Sequence, residues 1–183
     1  MKAVVLAAGG ALLVGIAPAQ AHTMSVGSSY AESCYRAAVA RDDSQSAKDA
    51  CDSALTVEAL TSYDRVGSHV NRGILWMQSG ALDRANRDFD AALALDPRQP
   101  EAWLNKGIAQ LQAGNSRAAR EMAGRSIELR TEKPAIAYYI RGLANEDAGD
   151  LKAAYSDLSR ARELAPKWQD PALELARYQV RSR

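Results

Sequence analysis

The chain has 183 residues, 47% of them hydrophobic and 25% charged, with a formal net charge of +1. That balance describes one globular domain with a real core, and it excludes a protein that grips nucleic acid through bulk positive charge. Aromatic residues make up only 6% and alanine is abundant, which favours closely packed helices and predicts an all-α protein.

Residues 1–21, "MKAVVLAAGGALLVGIAPAQA", read as a cleaved signal peptide. Lys2 precedes an apolar run, Ala3–Ile16, and Ala19 and Ala21 then fit a small-residue cleavage site. The run is shorter than the ~20 residues a spanning helix needs. No Cys sits at the cleavage point, so no lipoprotein anchor is indicated. The expected mature chain starts at His22, is exported to a periplasm or secreted, and has no stable membrane insertion. It carries 22 basic and 22 acidic residues. Residues 22–28 read as a flexible tail.

Two short helices follow, "YAESCYRAAVA" and "SAKDACDSALTVEAL", joined by "RDDSQ" within the segment 29–65. The next three segments repeat one another. Gly73, Gly107 and Gly142 are spaced by 34 and 35 residues, as are Gly80, Gly114 and Gly149, and Ala85, Ala119 and Ala154; Leu95, Leu129 and Leu164 close the units. Each unit reads as helix A up to the second Gly, which suits a left-handed helix end, then helix B. Helix B carries one apolar stripe, Ala85-Phe89-Ala92, Ala119-Met122/Ala123-Ser126 and Ala154-Leu158-Ala161. Pro97 and Pro166 stop helix B, and Pro100 and Pro134 open the next helix A. Residues 169–183 read as a capping helix and tail, with Asp170 as N-cap and Leu173, Leu175, Ala176 and Val180 covering the last unit.

This pattern resembles the tetratricopeptide repeat, a helix–turn–helix of about 34 residues. The first unit has Gly73, Trp76, Gly80, Ala85, Phe89, Ala92 and Pro97; the second Trp103, Gly107, Gly114 and Ala119; the third Tyr138, Gly142, Gly149, Ala154, Leu158, Ala161 and Pro166. The resemblance implies three repeats, 66–99, 100–134 and 135–168, in a right-handed α-solenoid, with 29–65 a divergent hairpin. Ala123 and Thr131 depart from the pattern, standing where a large residue and Pro are usual. Arg72, Lys106 and Arg141 precede the helix A glycines, and their stems are expected to cross apolar surface while the charge reaches water. Aligning 29–65 with the repeat puts Cys34 and Cys51 where the family packs two residues across the hairpin, with a turn three residues shorter than elsewhere. They are the only two cysteines, and export implies an oxidising compartment, so a Cys34–Cys51 disulfide is expected.

The resemblance also implies a concave groove lined by helix A. Its positions here are Val70, Asn71, Ile74 and Met77, then Leu104, Asn105, Ile108 and Leu111, then Tyr139, Ile140, Leu143 and Glu146. Some relatives bind an extended peptide through a ladder of asparagines, so Asn71 and Asn105 are either ligand contacts or scaffold. Relatives that clamp a C-terminal carboxylate use basic residues in the groove, and Val70 and Ile74 stand there instead. No zinc-protease, phosphate-loop or nucleophile-elbow motif appears, and the acidic pairs Asp42-Asp43 and Glu146-Asp147 read as solvated surface. The expectation is a non-enzymatic interaction module without cofactor, metal or nucleic acid, which holds a peptide or helix of an envelope protein. The alternatives are an oligomerising structural protein, through its terminal hairpin or helix, and metal binding at His22 with Met24 nearby.

Overall fold

The same backbone device ends the first helix of three successive hairpins. Gly80, Gly114 and Gly149 adopt φ of +77°, +78° and +80°, a region that costs a side chain but not glycine. The N–H of the following residue, Ala81, Asn115 or Asp150, then donates to the carbonyl of Trp76, Gln110 or Asn145, which satisfies an orphaned helix-end acceptor. Arg130, at φ +62°, makes the same closure between two hairpins, and the Thr131 N–H donates to the Ser126 carbonyl. Thr131 therefore stands in place of Pro for a reason: proline has no N–H to give.

The computed structural model describes residues 29–178. The proposed signal peptide, the tail with His22 and Met24, Val180 and the terminal Arg181–Arg183 lie outside the described residues. Those described form nine helices: α1 (Tyr30–Ala40), α2 (Gln45–Val57), α3 (Ser62–Gln78), α4 (Leu82–Leu95), α5 (Pro100–Gln112), α6 (Ser116–Glu128), α7 (Pro134–Asp147), α8 (Leu151–Leu164) and α9 (Asp170–Leu175). They pack as antiparallel pairs in sequence order, each pair against the next. Successive odd-numbered helices α1, α3, α5 and α7 also touch one another, whereas the even-numbered ones make no comparable contact. The stack therefore curves with the odd helices on its inner side. Among the described residues no helix is long and apolar enough to cross a membrane.

Small residues set the spacing within each pair. A Cβ added at Gly73 would lie 2.5 Å from Phe89 Cε1, and one at Gly142 would lie 3.0 Å from Leu158 Cγ. In the middle pair the nearest atoms to such a Cβ on Gly107 are backbone, Ala123 N at 3.3 Å and Ala119 O at 3.4 Å. Ala123 thus accompanies a pair whose main chains come close enough to leave little room for a larger side chain. Ala85, Ala119 and Ala154 are fully buried on the facing helices. Trp103 fixes the corner after α4, its indole N–H donating to the Pro97 carbonyl at 2.9 Å. The Lys48 ammonium and the Arg84 guanidinium each lie over the Trp76 ring, 4.8 and 4.6 Å from its centre, which ties α2 to the α3–α4 pair.

The first hairpin is held differently. Its core with α3 is Cys34, Ala38, Ala47, Cys51 and Leu75, and Cys34 and Cys51 form a disulfide with Cα atoms 4.7 Å apart. Both carboxylate oxygens of Glu58, just past α2, accept the Tyr30 and Ala31 backbone N–H groups at 2.6 and 3.0 Å. The expected shortening does not fall in the turn. Residues 41–44 connect α1 and α2, no fewer than the three residues joining the later pairs, and α1 itself stops after 11 residues. At the other end Asp170 is the first helical residue rather than the cap, and its carboxylate accepts the Trp168 indole N–H at 2.9 Å. Pro171 and Leu175 are buried there, while Leu173 and Ala176, expected in the seam, are exposed.

Two glycines of α3 give opposite forecasts. Nothing lies within 4 Å of a Cβ at Gly67, so Gly67→Ala raises stability by up to ~1 kcal/mol through helix propensity. Gly73→Ala collides with Phe89 and lowers it by about 1–3 kcal/mol. Urea unfolding of the two variants beside wild type checks both signs. Replacing Cys34 and Cys51 with serine costs about 3 kcal/mol by the chain-entropy estimate, read from the same measurement.

Candidate partner groove

The inner faces of α3, α5 and α7 carry the candidate residues, and the structure divides them into three groups. Val70 and Leu104 are not groove residues: they are 6% and 1% exposed. Val70 packs with Val66, Ala92, Leu93 and Ala102, in the seam between α3, α4 and α5. Ile140 is buried likewise. A position that points into the groove at the end of a stack is covered in its interior by the next repeat.

The second group is occupied by the chain's own C-terminal segment. The Tyr139 ring packs on Trp168 with centroids 4.7 Å apart. Burial, with Glu174 and Asp170 nearby, pushes its hydroxyl above the usual tyrosine range. Glu146 accepts a hydrogen bond from Arg177 at 2.8 Å. The α7 end of the groove is therefore closed by residues 168–177.

Asn71, Ile74, Met77, Asn105, Ile108, Leu111 and Leu143 remain, all half-buried. Ile74 also packs into the core between hairpins. The two asparagines differ. Asn105 Nδ2 donates to the Glu101 carbonyl of its own helix at 2.8 Å, whereas the Asn71 amide has no hydrogen-bond partner among the described residues. An amide can both donate to and accept from an extended backbone, and of these two asparagines Asn71 is the one whose amide hydrogens are uncommitted among the described residues.

A polar cluster that the residue pattern did not disclose lies beside the groove helices. Arg72 Nε and Nη2 donate to Asp88 at 2.9 and 2.6 Å, and Nη1 donates to Asp52 at 2.6 Å. His69 Nδ1 lies 3.0 Å from Asp88 Oδ1. The third repeat reproduces the fork: Arg141 donates twice to Asp157, at 2.8 and 2.7 Å, and Asn145 donates once at 3.0 Å. These guanidinium groups do not reach out to water as expected; each is fixed by a buried carboxylate. In the middle repeat Met122 stands where that Asp would be, and Lys106 pairs with Asp90 of the preceding helix instead. The only sequence signal was the separation of 16 residues shared by Arg72–Asp88 and Arg141–Asp157. His69 and Asp88 have the contact of a catalytic dyad, but Asp88 is also held by Arg72, which makes the group a clamp between α2, α3 and α4.

Comparison with known proteins places this architecture. Residues 77–138 match the family model of the tetratricopeptide repeat. MamA from Desulfovibrio magneticus RS-1, residue 41 to its end, is similar in structure with a TM-score of 0.66 at 21% identity, over 82% of this chain and 84% of that one. The first tetratricopeptide domain of Spaghetti (RPAP3), bound to the HSP90 peptide SRMEEVD, matches at 22% identity with a TM-score of 0.58, over 61% and 87% of the two chains. The second such domain of human RPAP3, in complex with the HSP70 peptide SGPTIEEVD, matches at 22% identity and 0.59, over 63% and 96%. At these identities the likeness is one of fold.

Asp88 yields a pH forecast. Burial pushes its carboxyl up, but hydrogen bonds from His69 and Arg72, with their charge, outweigh this and hold it below the usual carboxylate range. The folded protein thus binds this proton less readily than the unfolded chain. The stability it contributes is complete above about pH 4 and is lost as pH falls through the lowered folded value. Asp88→Asn is expected to cost about 3 kcal/mol at neutral pH, with the gap to wild type closing in acid. Chemical unfolding at a series of pH values checks the slope.

Proposed function

We propose that the protein is an exported, non-catalytic interaction module whose α3–α5 groove holds an extended peptide or a helix of an envelope protein. The observation that carries this reading is the set Ile74, Met77, Ile108 and Leu111, apolar side chains left half-exposed on the inner side of the curve beside the uncommitted Asn71 amide. Apolar surface in a preformed concavity is covered most readily by a partner. The peptide complexes of the two RPAP3 domains support a groove of this shape as a peptide site. The peptides named there are acidic, and the residues facing the open groove here are neutral, so the ligand assigned to this chain is apolar with an exposed backbone to meet Asn71. Export rests on the character of residues 1–21, and the Cys34–Cys51 disulfide fits an oxidising compartment.

Ile108 is the better test position than Ile74, because Ile74 also serves the core. Peptides selected from a displayed library against the full chain are expected to lose at least ~10-fold in affinity to Ile108→Glu, and less to Asn71→Ala, by fluorescence polarisation. Arg120→Glu, exposed on α6, leaves binding unchanged. Equal binding by Ile108→Glu with an unaltered circular dichroism spectrum removes the groove from the reading. For export, intact-mass measurement of protein recovered from cells is expected to give a chain beginning at His22 and lacking two hydrogens. A chain retaining Met1 rejects the signal peptide.

A further inference from the structure

Hydrophobic burial runs out at the N-terminal end of the stack. Each later hairpin fully buries at least one large apolar side chain, Phe89, Leu104 or Leu158, whereas within α1 and α2 the largest side chains so buried are Cys34 and Cys51. The large apolar residues of this hairpin are spent elsewhere: Tyr30, Tyr35, Val39 and Val57 are exposed, and Leu55 is half-buried. Apart from the cysteines, its core cluster holds Ala38, Ala47 and, from α3, Leu75. So little apolar burial does not offset the entropy of ordering two helices, and a unit of this size then needs a covalent staple.

Polar ties to α3 do not replace the staple. Asp52, which accepts from Arg72, keeps 51% of its side chain exposed, and an ion pair open to water adds little. Arg65 donates to the Leu55 carbonyl at 3.0 Å, and Lys48 lies over the Trp76 ring. The two helices pack on each other and on α3. In a stack whose units touch only their neighbours, a terminal unit can come away without unfolding the rest. The sulfurs impose an order on closure. Both cysteines are fully buried in the closed hairpin, so a reagent reaches them only while α1 and α2 are apart.

We infer that the α1–α2 hairpin is a separate folding unit closed by thiol–disulfide exchange, which makes the chain a substrate for a disulfide donor. One cysteine thiolate attacks the donor disulfide, forms a mixed disulfide and expels one donor sulfur. The other cysteine attacks that mixed disulfide, forms the Cys34–Cys51 bond and expels the second donor sulfur. The chain loses two electrons and two protons, and the donor leaves as thiols. A dithiol reductant runs the same steps backwards; the hairpin then opens alone and uncovers Leu75 on α3. This holds whatever the groove binds.

Hydrogen exchange read by mass spectrometry tests it on the full chain in the form the cell yields. That protein is compared with the same protein unfolded, reduced and refolded in dithiothreitol, and with the double variant Cys34→Ser, Cys51→Ser. In the reduced protein and the variant, amides of residues 30–57 are expected to exchange at least ~100-fold faster, the ratio implied by the loop-closure entropy of the disulfide. Amides of α5–α8 are expected to stay as slow as before. Oxidised glutathione should return the reduced wild type to slow exchange with the loss of two hydrogens, and should leave the variant fast. Slow exchange across 30–57 in the reduced protein overturns the inference. So does a rise in all helices together, which makes hairpin and stack one unit, or a reoxidised wild type whose first hairpin stays fast.

Discussion

The close approach of paired helices at a glycine is the constraint on which the other features rest. With no Cβ at Gly73 or Gly142, the Phe89 and Leu158 side chains sit directly on the partner backbone. At Gly107 even the main chains come near contact. This spacing sets the width of each hairpin. The hairpins then stack, and contact among the odd-numbered helices alone makes the stack curve. A larger residue at any of these glycines would push a pair apart and reach everything built on it.

On that frame the polar interactions act as registers between helices. Arg72 joins Asp88 within its own pair to Asp52 of the preceding one, so one guanidinium aligns two hairpins. The middle repeat has Met122 in place of the acid, and Lys106 turns back to Asp90. Two forked clamps flank one repeat that lacks the fork. The first hairpin buries mainly alanine and cysteine beside Leu75, and its disulfide supplies the cohesion that aromatic and aliphatic side chains supply further along.

The groove is shorter than a helix A pattern suggests, for reasons at both ends. Val70 and Leu104 share the spacing of Ile74 and Ile108, yet they disappear into the seam when the next hairpin docks. Tyr139 and Glu146 are covered by Trp168 and Arg177 of the same chain. Asn71 and Asn105 occupy equivalent places but differ in commitment, because Asn105 has turned its amide to its own helix. None of these distinctions follows from spacing, since each depends on which neighbour reaches the site first.

The sequence by itself determined the local periods: where helices end, which face of each is apolar, and which small residues recur. Those properties depend on backbone dihedrals and on neighbours a few residues away, and a repeated motif states them three times. Only the tertiary structure decided that α1 is the shortened element rather than its turn, that Leu173 faces outward, and that Asp88 collects Arg72 and His69. It also decided which inner-face side chains stay open. Each of these is settled by contacts between segments 16 or more residues apart, or by the packing of one whole helix against another. Such contacts leave little trace in the pattern of any single helix.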